Sequence, residues 1–378
     1  MEVFFLSYSG LIWLLNFKGT LKYCKMKRIK SCFLSIIRMS LILLLPCFLV
    51  SVINAAESSE KPDTLKFIHI TDPHICNLAG YHPVFVEGRQ HYGKGEELLT
   101  NFFKSVPEKL QSDFVVISGD IVDFYEGETI FGEMVGNQIG QAARLLEKSN
   151  VPVYLTLGNH DIASYGINLD SKKIIGHQLN AERARAAWIK NVPVFSDGTY
   201  YSKTFKVDTT TFRLIFLDNA YYKPGRDSDG RHYIIGSDQL FWLNNEMRKS
   251  ETDVEIIFMH MPILNLPSEE IEHSKNKYLL NLDDTVAIGM VVKSSETNPL
   301  NLIGVLGQNA SARLVLTGHL HSSVAHDFYF SEDYFILQVM TGAFARDARN
   351  WRLIQLTGES IIISFNGDTR TQYKIPLK

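Results

Sequence analysis

Five apolar segments of the chain each end in a short polar group that contains Asp, Asn or His, and this pattern restricts the fold more than any other feature. Apolar runs of this length, bounded by polar residues and Gly, are typical of strands buried on both faces of a parallel sheet. The segments with their polar ends are LKFIHIT (65–71) before Asp72-Pro73-His74, FVVISGD (114–120) continuing to Asp123, VPVYLTLGNHD (151–161), VEIIFMH (254–260), and ARLVLTGH (312–319) continuing to His321.

The segments between these runs predict helices, so the order along the chain is that of an α/β protein. The spacing of apolar residues predicts helices over 95–110, 133–148 and 237–249. Pro107 is expected to break the first of them near its end. Residues 199–207 and 211–218 are typical of a hairpin, and the tail 323–378 is typical of short strands separated by turns. No low-complexity linker or fixed-period repeat interrupts 57–378, which predicts one domain of stacked α/β layers.

The polar groups are expected to meet at one edge of a sheet, because ligands of open α/β sheets bind at the carboxyl ends of the strands. Imidazole together with carboxylate suits Zn, Fe or Mn rather than Ca. A single His after a strand is more often an ordinary core or surface residue. The joint occurrence of Asp-x-His, Gly-Asp, Gly-Asn-His-Asp, Met-His and Gly-His-x-His, in this order at five strand ends, makes a metal site the better interpretation.

This series resembles the motifs of the calcineurin-like metallophosphoesterases over roughly residues 65–330. The resemblance implies a four-layer αββα sandwich of two mixed β-sheets flanked by helices. It also implies a centre of two divalent or trivalent metal ions, drawn from Mn, Fe and Zn. Three residues are expected at the first ion, three at the second and one as a bridge between them: Asp72, His74 and His321; Asn159, His260 and His319; and Asp120.

The same resemblance implies an enzyme that hydrolyses a phosphomonoester or phosphodiester by attack of a metal-bridging hydroxide. Two metal ions about 4 Å apart can hold phosphate oxygens and lower the pKa of a shared water. His160 is expected beside the substrate, where an imidazole can protonate or stabilise the leaving oxygen. Asp123 is expected to keep that imidazole protonated and correctly oriented. A hypothesis of another class is a non-catalytic binding scaffold, but such proteins typically lose ligands, and all of those positions are intact here.

Departures from subgroup patterns narrow this interpretation. Asp123 stands where the purple acid phosphatases carry a tyrosinate ligand, and Phe124-Tyr125 stands where the protein Ser/Thr phosphatases have Arg-Gly. Sphingomyelinase-like and cyclic-nucleotide-phosphodiesterase-like enzymes remain, which makes a membrane phospholipid one alternative substrate. Against the first of these, Asp161 stands where Glu is usual in Gly-Asn-His-Glu.

The first 56 residues differ in kind from the rest and are typical of a targeting segment. They hold seven basic residues and one acidic residue, for a net charge of +6, followed by the uncharged stretch LILLLPCFLVSVI (41–53). A basic region, a short apolar stretch and small residues after it predict a secretory signal peptide. A true start at Met26 would give the signal an ordinary length. The prediction is a secreted or periplasmic protein, with an uncleaved membrane anchor as the alternative.

Residues 57–378 carry a net charge of −9, so nucleic acid is not an expected partner. An anionic phosphate ester is then attracted by local metal ions rather than by the protein's overall charge. Oligomeric state has no sequence signal. Cys76 is the only cysteine after the leader, which excludes an internal disulfide there.

Three loops are weaker candidates for substrate contact. Tyr222 and Arg226, in a basic and aromatic loop after a strand, are candidate substrate-binding residues. The long polar segment 265–297 is either a lid or a plain insertion. Phe85, Arg89, His91 and Tyr92 form either a substrate rim or an ordinary surface loop.

Overall fold

The computed structural model describes residues 6–8, 11–13, 63–177, 180–224, 231–249, 252–263, 278–279 and 302–377. The strands are β1 (Leu6–Tyr8), β2 (Leu11–Trp13), β3 (Thr64–Ile70), β4 (Phe114–Ser118), β5 (Glu126–Glu128), β6 (Met134–Val135), β7 (Val153–Thr156), β8 (Ser164–Asn168), β9 (Lys173–His177), β10 (Tyr201–Val207), β11 (Thr210–Phe216), β12 (Tyr221–Pro224), β13 (Arg231–Ile234), β14 (Val254–Phe258), β15 (Tyr278–Leu279), β16 (Ala312–Thr317), β17 (Val324–Tyr329), β18 (Phe335–Met340), β19 (Arg352–Thr357), β20 (Ser360–Ser364) and β21 (Thr371–Pro376). The helices are α1 (Pro83–Arg89), α2 (Gly95–Leu110), α3 (Gln138–Leu146), α4 (Ala181–Asn191), α5 (Ser237–Met247) and α6 (Leu302–Gln308), with 3₁₀ turns at Gln90–Tyr92, His160–Ile162 and Pro193–Phe195.

Two mixed sheets form the centre of the unit Lys61–Lys378. The first has the order β21-β20-β19-β3-β4-β7, in which β3, β4 and β7 are parallel and the tail strands pair antiparallel. The second has the order β10-β11-β14-β16-β18-β17-β15, in which β11, β14, β16 and β18 are parallel. The carboxyl ends of the parallel strands in each sheet therefore lie along one edge, as the sequence pattern predicts.

An apolar layer lies between these two sheets. Phe67 of β3 contacts Phe258 of β14 with ring centroids 5.7 Å apart, and Phe258 stacks on Phe216 of β11 at 4.8 Å. Residues next to these in the strands, such as Ile68 and Ile257, point to the opposite face of their sheets. They belong to a second buried cluster that also contains the apolar faces of the helices. This alternation is what a strand covered on both faces requires. The predicted four-layer αββα sandwich is confirmed.

A smaller sheet with the order β6-β5-β8-β9 was not anticipated from the sequence. Its strands are two to five residues long, which is too short to produce a clear alternation. It packs with α1 over a third cluster that includes Tyr81, Phe85, Phe124 and Ile167. The predicted rim residue Phe85 is therefore a core residue.

The predicted helices form with changed ends. The helix that Pro107 was expected to break continues to Leu110 and ends at Gln111, which adopts a left-handed conformation with φ of 52°. The helix predicted over 133–148 is shorter, because β6 occupies its first residues. Within the predicted lid, only β15 is described, and it pairs parallel with β17.

The predicted signal segment lies almost wholly outside the described residues, as does Arg226. In the unit Met1–Glu60, β1 and β2 form an antiparallel pair. Among the helices that the structure describes, none has the length and apolar character needed to span a membrane.

Candidate metal centre

The predicted ligands lie in five loops that leave the strands β3, β4, β7, β14 and β16 at the same edge. Several of these side chains stand on left-handed backbone: φ is 53° at Asp72, 44° at His74, 49° at Asp120, 72° at His319 and 56° at His321. This conformation is uncommon for residues other than Gly, and it occurs mostly where surrounding contacts enforce it at functional sites. These turns direct the side chains of the loops after β3, β4 and β16 toward a common space.

Backbone hydrogen bonds hold the first two loops together. The amide of Asp72 donates to the carbonyl of Gly119 at 3.0 Å, and the amide of His74 donates to that of Asp120 at 3.0 Å. The amide of His319 donates to Oδ2 of Asp72 at 3.1 Å, which brings the last loop to the first. Hydrogen bonds from main-chain amides thus hold together ligands that are far apart in sequence.

One group of converging atoms comes from Asp72, His74, Asp120 and His321. Nε2 of His321 lies 3.2 Å from Oδ1 of Asp72 and 3.2 Å from Nε2 of His74. Nε2 of His74 lies 3.8 Å from Oδ2 of Asp120. Separations of this size suit atoms that share one metal ion, since metal–ligand bonds to N and O are about 2.1 Å long. The structure thus brings together the residues predicted for the first metal ion and the bridge.

A second group comes from Asp120, His260 and His319. Nε2 of His260 lies 3.1 Å from Oδ2 of Asp120, the same oxygen that faces His74. Nδ1 of His319 lies 2.9 Å from Oδ1 of Asn159, so the predicted amide ligand is also at this position. Asp120 belongs to both groups, which is the placement that a bridging carboxylate requires.

The donor chemistry of these residues fits metal ions. Nδ1 of His260 donates to the carbonyl of Ser118 at 2.8 Å, which leaves Nε2 facing the cluster. Nε2 of His260 and Oδ1 of Asp72 are both buried and without a hydrogen-bond partner. Buried polar atoms are normally satisfied, and unpaired ones that face each other across a polar cluster are typical of an ion site. The residues present therefore fit the dinuclear centre that the motifs predict.

The electrostatics of the cluster favour positive charge. Burial lowers the pKa of His74, but the carboxylates of Asp123 and Asp72 outweigh it and raise that pKa to about 10. Burial also lowers the pKa of His260, but the carboxylates of Asp120 and Asp72 outweigh this effect and raise that pKa to about 9. Although burial raises the pKa of the Asp120 carboxyl, the neighbouring imidazoles of His260 and His160 bring it below its ordinary value. A site that holds protons this firmly also attracts metal cations.

Two glycines of the motifs are required for close approach. A Cβ at Gly158 would lie 2.2 Å from Oδ1 of Asp120, and a Cβ at Gly318 would lie 1.9 Å from Oγ1 of Thr71. These distances are far inside van der Waals contact, so neither position can accept a side chain without displacing a ligand loop. Steric crowding thus explains why glycine occupies the first position of the Gly-Asn-His-Asp and Gly-His-x-His motifs.

Asp123 contacts His74 and Arg89 as well as His160, the residue that the sequence suggested. Its Oδ1 accepts from Nδ1 of His74 at 3.1 Å, and its Oδ2 accepts from Nε of Arg89 at 2.7 Å. His160 instead donates from Nδ1 to the backbone carbonyl of Asp123 at 2.8 Å, while the carboxylate is 3.6 Å away. Burial lowers the pKa of His160. The carboxylate of Asp123 thus orients His74, and the carbonyl of Asp123 orients His160. That the carboxylate also keeps His160 protonated stays a prediction.

Arg89 is the contact that sequence reasoning did not resolve, because it was only one of several loop candidates. Its guanidinium makes two hydrogen bonds to Asp123 and lies 5.2 Å from the ring centre of Tyr92. Tyr92 in turn stacks on the imidazole of His74 at 4.1 Å. Arg89 and Tyr92 therefore pack directly against groups of the metal centre, and the substrate rim stays a prediction.

The contacts of Asp161 explain why Asp stands where Gly-Asn-His-Glu would have Glu. Its buried carboxylate accepts from the amide of Val122 at 2.9 Å and from that of Gly158 at 2.7 Å. It therefore joins the loop after β4 to the loop after β7. Asn219, just after β11, holds the loop after β14 in a similar way, because its Oδ1 accepts from the amide of His260 at 3.1 Å.

The weaker substrate candidates stay predictions. Tyr222 lies in β12, where it pairs with Tyr233 of β13, and Arg226 is outside the described residues. The partly exposed side of the centre is formed by Asn159, His160, His319 and His321. This side of the cluster is therefore open to solvent.

A family model described as calcineurin-like phosphoesterase matches residues 65–323, more than half of the chain. The chain belongs to the calcineurin-like phosphoesterase family. It is accordingly a metal-dependent hydrolase of phosphoric esters, and the resemblance drawn from the five motifs is confirmed.

Two further comparisons agree with this family assignment. The chain is 26% identical over 170 residues to the DNA double-strand break repair protein Mre11 of Methanococcus maripaludis. That match covers 42% of this phosphoesterase and 41% of the relative, so the chain spans well under half of the relative's length. A dimetal phosphatase from Danio rerio shares the fold, with a TM-score of 0.52 and 14% identity over 84% of this chain and 100% of that one.

Proposed function

We propose that this protein hydrolyses a phosphomonoester or phosphodiester at a dinuclear centre held by Asp72, His74, Asp120, Asn159, His260, His319 and His321. The observation that carries the proposal is the shared position of Asp120, whose Oδ2 faces both His74 and His260. When bound, a metal pair supplies Lewis acidity and an activated water at the phosphate. Mn, Fe and Zn all suit these ligands.

The protein's own residues then position the reacting groups. Nδ1 of His160 is engaged by the carbonyl of Asp123, so Nε2 is the atom left to contact the leaving oxygen. His160 is partly exposed, with 19% of its side chain accessible, at the open side of the cluster. We assign it the stabilisation of the leaving group, and we assign Asp123 the orientation of His74.

Substitution of two ligands tests the proposal. Asp120→Ala and His321→Ala should each reduce bound metal and abolish hydrolysis of aryl phosphate mono- and diesters. Asp333→Asn, in an exposed turn outside the cluster, is the matched control and should retain both. Full activity in either ligand variant would overturn the proposed centre. Full metal content with no turnover of any phosphate ester in the wild type would instead favour the binding scaffold.

The substrate class is the open part of this proposal. A phospholipid, as in sphingomyelinase-like enzymes, is one candidate. DNA is suggested by the name of the Mre11 relative, but the charge of −9 over residues 57–378 argues against a polyanionic substrate. A comparison of turnover on phospholipid, cyclic nucleotide, aryl diester and single-stranded DNA distinguishes these classes.

We further propose that the enzyme is exported and that residues 57–378 are its catalytic domain. The support is the leader, in which a net charge of +6 is combined with the uncharged apolar stretch 41–53. Mass spectrometry of the N-terminus after expression in the native host tests this proposal. A mature chain that still carries residues 26–56 would contradict cleavage.

A further inference from the structure

Two turns of the small sheet β6-β5-β8-β9 expose large apolar side chains. Phe131 is 82% exposed and Ile130 is 56% exposed in the turn between β5 and β6, and Leu169 is 70% exposed in the turn between β8 and β9. Phe131 and Leu169 are the two most exposed large apolar side chains among the residues that the structure describes. Such side chains cost solubility, so a cluster of them indicates a surface that meets a partner.

The two turns lie at the same end of that sheet, where β5 and β8 finish. β5 and β8 are parallel, with Gly127 paired to Tyr165. Because the two strands are parallel, the turn that follows β5 and the turn that follows β8 leave the sheet at the same end. We call the exposed apolar side chains of these two neighbouring turns the tip surface (Ile130, Phe131 and Leu169).

The tip surface is connected directly to the metal centre. β5 begins at Glu126, just after Asp123, and β8 begins at Ser164, just after the turn that carries His160. The hydroxyl of Tyr165 lies 3.4 Å from Nδ1 of His160. From Tyr165 to Leu169 the strand advances about 13 Å, at roughly 3.3 Å per residue. Both strands thus lead from catalytic loops to the tips.

The size and charge of the tip surface favour a lipid layer over a protein partner. Its exposed apolar area is a few hundred Å², whereas a specific protein interface buries about 800 Å² per partner. The exposed charges of the two turns and of the first residue of β9 balance, with two acidic and two basic residues: Glu133, Asp170, Lys172 and Lys173. Protruding apolar tips without a net charge suit a zwitterionic phospholipid surface, which they can enter without a large complementary face.

We propose that the tip surface docks this protein on a phospholipid bilayer, with Phe131 and Leu169 inserted at the level of the upper acyl chains. The metal centre is then held beside the headgroups. The proposal concerns binding alone and does not rest on hydrolysis.

Tryptophan substitutions in the full chain test this docking locally. The emission of the Phe131→Trp variant reports on the surroundings of the tip surface. Phe241→Trp is the matched control, because Phe241 is also exposed, at 61%, but lies on α5. The four native tryptophans are common to both variants. Phosphatidylcholine vesicles with brominated acyl chains should quench the emission of F131W more strongly than that of F241W. Raised salt should leave this difference unchanged.

A second substitution tests whether the two tips act together. Leu169→Ser in the F131W chain should weaken vesicle partition at least fivefold, because half of the inserted apolar surface is removed. Equal quenching in F131W and F241W would overturn the proposal. A blue shift of F131W that grows with protein concentration in the absence of vesicles would also overturn it, and would indicate a second copy of the chain as the occupant.

Discussion

Arg89 and Asp123 form a bidentate ion pair beside the metal ligands, and this pair joins α1 to the loop after β4. Only 17% of the Arg89 side chain is exposed, and the Asp123 side chain is fully buried. Removal of one partner from a buried pair leaves the other charge without compensation. The orientation of His74, which donates to the same carboxylate, therefore depends on Arg89.

We expect Arg89→Gln to lower kcat/KM by about 10- to 100-fold, the usual effect of losing a group that orients a metal ligand. The affinity for metal should fall with it, and Arg89→Lys should restore little, because an ammonium cannot make the two-pronged contact. Titration with Mn²⁺ followed by activity measures both effects. Arg313→Gln, remote from the cluster, is the control. Unchanged metal affinity in R89Q would show that His74 is held without this pair.

His160→Ala should lower kcat by about 10²- to 10⁴-fold on substrates with poor leaving groups, while metal content stays near that of the wild type. The physical reason is that His160 contacts Asp123 through its backbone carbonyl and is not a member of the two ligand groups around Asp120. Kinetics on aryl esters with leaving groups of graded pKa provide the measurement. An effect independent of leaving-group pKa would contradict the role assigned to Nε2.

Gly318→Ala should abolish metal binding, because its Cβ would meet Oγ1 of Thr71 at 1.9 Å and Oδ2 of Asp72 at 2.5 Å. Gly236→Ala is the matched control, since nothing lies within 4 Å of a Cβ there. Metal analysis of both purified variants, together with their melting temperatures in excess chelator, separates lost ligand geometry from general unfolding. Normal metal content in G318A would mean that the last loop shifts without disturbing Asp72.

Glu255, in β14, should make stability depend on pH. Burial raises the pKa of its carboxyl to about 7 from an ordinary value of 4.5. The folded state therefore binds the proton more tightly than the unfolded state, so this group contributes stability at low pH that is lost as pH rises from about 4.5 through 7. A neutral isostere avoids that loss. Glu255→Gln should leave stability near pH 4 unchanged and raise it by about 3 kcal/mol at pH 8.

Urea unfolding of wild type and E255Q, at pH 4 and pH 8 with saturating metal, measures this difference. Glu359→Gln, at an exposed position, is the control and should show no comparable dependence. A gain of equal size at both pH values would indicate a packing effect rather than titration.

The sequence alone was sufficient for the family, the sandwich and the set of converging ligands. Strand runs such as 114–118 are buried on both faces, so their apolar character is continuous and easily read. The polar groups at their ends have no role in a core, and five such groups in fixed order leave few alternatives to a metal centre.

Tertiary structure decided which groups contact each other within that set. Asp123 lies beside His160 as expected, but its carboxylate is hydrogen-bonded to His74 and to Arg89, which lies 34 residues earlier in the chain. The small sheet that bears Phe131 and Leu169 also arose only in three dimensions. Its strands are too short for a periodic signal, and it forms because residues after two separate catalytic loops pair with each other. Motifs specify which atoms are available, whereas side-chain partners depend on distances between segments that no local pattern records.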